Sequence, residues 1–110
     1  MRSLLWKLFL LFLAADTQGA IAQDVEAGHR LASTWCSGCH HVEYSATGPQ
    51  RDSAPPFVSV AARASTTAAS LNVFLSTPHS VMPDFSLSRQ EIANLTAYIL
   101  SLRSSERQKN

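Results

Sequence analysis

The chain has 110 residues, 45% hydrophobic and 15% charged, with nine Lys+Arg against eight Asp+Glu and a formal net charge of +1. That length admits one domain. The near-neutral balance lacks the positive field on which nucleic-acid binding relies, so nucleic acid and strongly charged partners are excluded from the expectations.

The first segment is the most apolar. Arg2 and Lys7 flank a run over residues 8–15 (LFLLFLAA), and Ala20-Ile21-Ala22 supplies a small-x-small site before Gln23. A basic region, a short apolar region and such a site predict a cleaved export signal over residues 1–22. A transmembrane anchor needs about 20 apolar residues, and this run is closed by Lys7 on one side and by Asp16, Thr17 and Gln18 on the other. Neither cysteine lies near the cleavage site, so no lipid attachment is expected there. The expected mature domain, residues 23–110, has 88 residues with seven Lys+Arg and seven Asp+Glu. A chain this short buries a modest fraction of its surface and often needs a disulfide, a metal or a cofactor to complete its core.

Periodicity in the mature part predicts helices. Val25, Gly28, Leu31, Ala32 and Trp35 share one face of a helix starting near Asp24, with Asp24 and Glu26 suited to its first turn. A second short helix is expected over residues 57–64, and a third over 68–76, where Leu71, Phe74 and Leu75 share a face. The last helix is the clearest. Ser88-Arg89-Gln90-Glu91 has the capping-box pattern and opens a stripe of Ile92, Leu95, Ile99 and Leu102, predicting a helix over 88–103 with a frayed polar tail after Leu102. Strand signals are nearly absent. Gly48, Pro49, Pro55 and Pro56 mark one long loop, and Pro78 and Pro83 mark another over residues 77–87.

The two cysteines stand in Cys36-Ser37-Gly38-Cys39-His40, the C-x-x-C-H pattern of covalent c-type haem attachment. Two intervening residues let one turn of chain present both sulfurs to the two vinyl groups of one porphyrin. The next residue, His40, then falls beneath the iron as proximal ligand, a role for which neutral imidazole is suited. Three rival readings compete. A thioredoxin-type redox pair belongs at the start of a helix after a strand, whereas these cysteines follow a helix. A zinc site completed by His40, His41 or His79 lacks a second paired cluster. A disulfide between Cys36 and Cys39 closes too small a loop to stabilise much.

A low-spin electron carrier needs Met or His on the far side of the haem. Met1 leaves with the export signal, so Met82 is the available thioether, in the turn-rich stretch before the last helix. The competing readings are a gap-filling core methionine and ligation by His79 in the same loop. His41, next to the proximal ligand, is expected as a solvated surface residue, and so is His29 on the first helix.

Taken in order and spacing, these features resemble a class I c-type cytochrome of the small, soluble, bacterial mono-haem type over residues 24–102. In that family a glycine eight residues before the first cysteine lets the N-terminal helix cross the C-terminal one closely, matched here by Gly28 against Leu95 and Tyr98. The usual aromatic of the N-terminal helix is absent, since Ala32 stands four before Cys36, leaving Leu31 or Trp35 to fill that volume. A proline whose carbonyl accepts the proximal histidine's Nδ1 proton is matched by Pro55 in Ala54-Pro55-Pro56-Phe57, with Pro49 the alternative. Residues 78–83 resemble the methionine-ligand loop. One departure concerns charge: the lysines that ring the haem edge of mitochondrial relatives are reduced, in the expected mature domain, to Lys109.

The resemblance implies an all-α cytochrome c fold, with three to five helices wrapped around one covalently bound haem c and the terminal helices crossing. It implies a periplasmic one-electron carrier, not an enzyme, with Cys36 and Cys39 as thioether anchors and His40 and Met82 as axial ligands. Phe57, Leu71, Phe74, Leu75, Leu95 and Ile99 are the candidate apolar lining. The expected partners are redox proteins such as a dehydrogenase, an oxidase or another cytochrome, met transiently by a monomer that is neither membrane-anchored nor bound to nucleic acid. The alternatives are a catalytic or gas-sensing haem protein with a labile distal ligand, and a dedicated cytochrome subunit of a periplasmic dehydrogenase.

Overall fold

The computed structural model describes residues 21–45 and 54–107, with side chains through Arg103. Most of the expected export signal, Gly48, Pro49 and Lys109 therefore lie outside the described residues. Among those described there are four helices and no strand: α1 (Val25–Trp35), α2 (Phe57–Ala62), α3 (Ala68–Leu75) and α4 (Arg89–Arg107). All of α1, α2 and α3 pack on α4, α1 most extensively.

Local chemistry sets where three of the helices begin. Asp24 is the N-cap of α1, its carboxylate accepting from the Ala27 amide at 2.9 Å, and Glu26 adds negative charge to the positive end of the helix dipole. Ser88 and Glu91 form the expected box at α4. The Ser88 amide donates to Glu91 Oε2 at 2.7 Å and the Glu91 amide to Ser88 Oγ at 3.2 Å. A second capping box, not foreseen from the sequence, opens α3, where Thr67 and Ser70 exchange side chain-to-amide bonds of 3.0 and 2.8 Å. Serine substitutes there for the usual Glu or Gln, which is why the pattern escapes notice.

Gly28 sits where α1 crosses α4. A Cβ added there would lie 2.6 Å from the Asn94 carbonyl carbon and 2.8 Å from Tyr98 Cβ, so only hydrogen fits. The crossing is pinned by polar bonds as well: the Asp24 amide donates to Asn94 Oδ1 at 3.0 Å, and Gln90 Nε2 donates to Asn94 Oδ1 and to the Ala22 carbonyl. Behind it lies the core, made of Ala32, Val42, Phe57, Ala61, Leu71, Leu95, Tyr98, Ile99 and Leu102, with Leu95 the most enclosed of its large side chains at 1% exposure.

Three expectations are corrected. Helix α4 runs on to Arg107 instead of ending at Arg103, because the apolar stripe marks the face that packs, whereas the hydrogen-bond ladder continues until a breaker appears, and none follows Leu102. Helix α2 stops at Ala62, two residues early, where Arg63 turns extended. The α1 stripe is also narrower than its periodicity suggests. Gly28 and Ala32 are buried, whereas Val25 and Trp35, at the two ends, are exposed, since a crossing contact covers the middle of a helix and not its ends.

Candidate haem-attachment site

Helix α1 delivers the cysteines. Its last turn ends at Trp35, and Cys36 caps it with an amide bond to the Ala32 carbonyl at 2.9 Å. The chain then winds into a further tight turn, in which the amides of Cys39 and His40 both donate to the Cys36 carbonyl, at 3.1 and 2.9 Å. Cys36, Cys39 and His40 thus occupy a single turn. Cys36 is buried and Cys39 half-buried, and the two are not joined as a disulfide.

Burial pushes the Cys36 thiol up to about 11. A dithiol redox pair needs the opposite, a thiol depressed by a helix N-terminus or a nearby cation, and Cys36 lies at a helix C-terminus. The thioredoxin-type reading therefore loses its electrostatic basis. Among the described residues no group of three or more His, Cys, Asp or Glu side chains is arranged to hold a metal ion.

The imidazole of His40 is held by two neighbours. Its Nδ1 lies 2.8 Å from the Pro55 carbonyl, and its ring lies 5.3 Å from that of Phe57 at 50°. A carbonyl can only accept, so Nδ1 carries a proton, and Nε2 is the ring atom left for any iron ligation. Pro55 itself is held in place because the next helix is tied to the motif: the Phe57 amide donates to the His41 carbonyl at 2.9 Å. His41 is half-buried rather than a solvated surface residue, since it lies where this strap meets the attachment turn.

Met82 lines a shallow, solvent-open cleft with Phe74, Leu75, Thr77, His79 and Phe85 among its neighbours. The His79 ring lies against Phe74, centroids 3.8 Å apart and tilted 30°. The attachment segment and the Met82 segment meet through Trp35 and Phe85, whose rings are 5.3 Å apart. After Phe85 the chain turns sharply, with Ser86 in the left-handed region at φ 50° and its amide bound to Asp84 Oδ1 at 2.9 Å. Of the candidate lining, Phe57, Leu71, Leu95 and Ile99 are buried and Leu75 half-buried, whereas Phe74 is 45% exposed.

The model of the family described as cytochrome c matches residues 25–103. This chain belongs to the cytochrome c family. A curated relative, cytochrome c-552 of Bradyrhizobium diazoefficiens, is 40% identical over 94 residues, covering 86% of this chain and 89% of the relative. No solved structure matches the chain. The helical architecture is accordingly the all-α cytochrome c fold, and the cytochrome carries covalently bound haem c as an electron carrier that exchanges electrons with redox partners. The paired cysteines and the Nδ1-protonated histidine in one turn are the donor set such a group needs.

Several contacts around the site were not legible in the sequence. The Tyr98 hydroxyl donates to the Val42 carbonyl at 2.6 Å, locking the chain just after the motif onto α4. His29 donates through Nε2 to Glu43 Oε1 at 2.6 Å and lies against the Tyr98 ring at 5.0 Å, so it bridges α1 to the same stretch instead of facing solvent alone. Burial and, secondarily, the charges of Glu43 and Glu26 push the Tyr98 phenol up to about 12. The Tyr98 acceptor is a backbone carbonyl, which leaves no trace in a side-chain pattern, and His29 and Glu43 are fourteen residues apart on different segments, so these bonds appear only in three dimensions.

Proposed function

We propose that this cytochrome is an exported, periplasmic one-electron carrier in which Cys36 and Cys39 hold the haem by thioether bonds, while His40 and Met82 are its axial ligands. The bond between His40 Nδ1 and the Pro55 carbonyl is the observation that carries the reading. It orients the imidazole, leaves Nε2 as a donor and raises its basicity. Met82 and His79 both line the cleft; Met82 is favoured because the His79 imidazole lies against the Phe74 ring and residues 78–83 resemble the methionine-ligand loop. When bound, the haem supplies a one-electron iron couple; the protein's part is to keep its ligands fixed and their surroundings dry.

The apolar residues Phe57, Leu71, Leu95 and Ile99 exclude water behind the site. Trp35 is 51% exposed immediately before Cys36, and Val81 is 82% exposed immediately before Met82, so apolar side chains face solvent beside the site. Partner docking is correspondingly brief and small in area. Export rests on the basic, apolar and small-x-small pattern of residues 1–22, with cleavage before Gln23.

Absorption spectra in both redox states, together with the intact mass, test the proposal. The expected result is a low-spin haem with a weak sulfur-to-iron band at the red end of the oxidised spectrum, and a mass of residues 23–110 plus one haem. Loss of that band together with rapid CO binding by the reduced protein would replace this reading by a catalytic or gas-sensing one.

A further inference from the structure

Helix α2 is six residues long, too short to persist by its own hydrogen bonds, yet its N-terminal flank supplies the Pro55 carbonyl that His40 uses. No side chain caps it at Pro56. Its start is held instead by the Phe57 amide bound to the His41 carbonyl at 2.9 Å. Its far end is held from another element. Arg103, on α4, donates from Nε to the Ala61 carbonyl at 2.8 Å and from Nη2 to the Thr66 carbonyl at 2.8 Å, with the Arg63 carbonyl at 3.4 Å from Nη2.

These acceptors fit a guanidinium. The Ala61 carbonyl lies in the last turn of α2, where intrahelical donors run out, and a cation at a helix C-terminus also meets the negative end of the dipole. The planar fork of arginine reaches the end of α2 and the turn to α3 together, which a single ammonium cannot do. Ala61 is fully buried, so movement at this end is transmitted through α2 and not absorbed locally.

We propose that Arg103 is a positioning residue for His40: by clamping the C-terminal end of α2 to α4, it fixes the short helix whose other end presents the Pro55 carbonyl. The inference rests on the proposed role of His40 as iron ligand. With the clamp removed, the Pro55 carbonyl drifts from Nδ1, the imidazole becomes less basic, and the reduced state is favoured relative to the oxidised one. The expected signature is a raised midpoint potential.

The test uses the holoprotein with Arg103→Met and Arg103→Lys, reading midpoint potential, hydrogen exchange of the His40 Nδ1 proton by NMR, and thermal midpoint. Arg103→Met raises the potential and speeds Nδ1 exchange at least about tenfold, the loss of roughly one hydrogen bond's protection. Arg103→Lys falls between it and the native protein. Ser88→Ala, which loosens the start of α4 without touching α2, lowers the thermal midpoint and leaves potential and exchange unchanged. Should both Arg103 variants melt earlier while potential and exchange keep native values, Arg103 is a stability clamp only and the inference is overturned. An unprotected Nδ1 proton in the native protein would show instead that the His40–Pro55 reading itself had failed, and the inference with it.

Discussion

The Tyr98 hydroxyl and the His40 imidazole do comparable work at two points of the same turn of chain, each tied to a backbone carbonyl, Val42 in one case and Pro55 in the other. Tyr98→Phe keeps the ring against His29 but leaves the buried Val42 carbonyl without its donor. We expect a loss of about 1–3 kcal/mol in denaturant unfolding of the holoprotein. The phenol also has an alkaline signature. Its folded pKa of about 12 lies above the ordinary 10.0, so its contribution is fully present below pH 10 and is lost as pH rises through 12. Unfolding curves of the native protein should weaken across that window, and those of Tyr98→Phe should lack that component. At this scale the geometry of the motif was legible because Cys36, Cys39 and His40 lie within five residues, so spacing alone brings them into one turn. Pro55 followed from family resemblance, and the Arg103 clamp was invisible because all its acceptors are carbonyls.

Among the elements, α1 and α4 carry the fold, and their crossing depends on one missing side chain. Gly28→Ala places a methyl against the Asn94 carbonyl and Tyr98 Cβ, which backbone cannot yield to cheaply. The expected cost is about 2–3 kcal/mol or more, seen as a lower denaturation midpoint with an unchanged slope. The capping box of α4 gives a milder prediction: Ser88→Ala costs about 1 kcal/mol. Glu91 in that box has its carboxyl held below the ordinary 4.5, chiefly by the Ser88 amide and then by the Ser88 side chain. Its contribution is present above that value and fades as pH falls through the lowered pKa, so acid unfolding of Ser88→Ala should be less pH-dependent in that range. Helix starts were readable from Asp24 and from Ser88 with Glu91, because caps are local chemistry. Helix ends were not, since α2 ends where Arg63 turns to meet Arg103 and α4 ends beyond its apolar stripe.

For the molecule as a whole, nine basic and eight acidic residues in 110 leave little field to steer a partner. Some of the charges on and beside α1 are spent on one another: Glu26 pairs with Arg30 at 3.4 Å, and Glu43 is bound by His29. Electron exchange with a redox protein should therefore change little between low and high ionic strength in stopped-flow measurements, and a change of orders of magnitude would indicate a charged docking face. Small size also makes the prosthetic group part of the fold, because a chain of this length has little core to spare. The account turns on iron held by His40 and Met82. Its most direct test is the oxidised absorption spectrum of holo Met82→Ala beside that of the native protein: the account predicts retained covalent haem, loss of the sulfur-to-iron band and a lowered midpoint potential, and an unchanged spectrum and potential would contradict it.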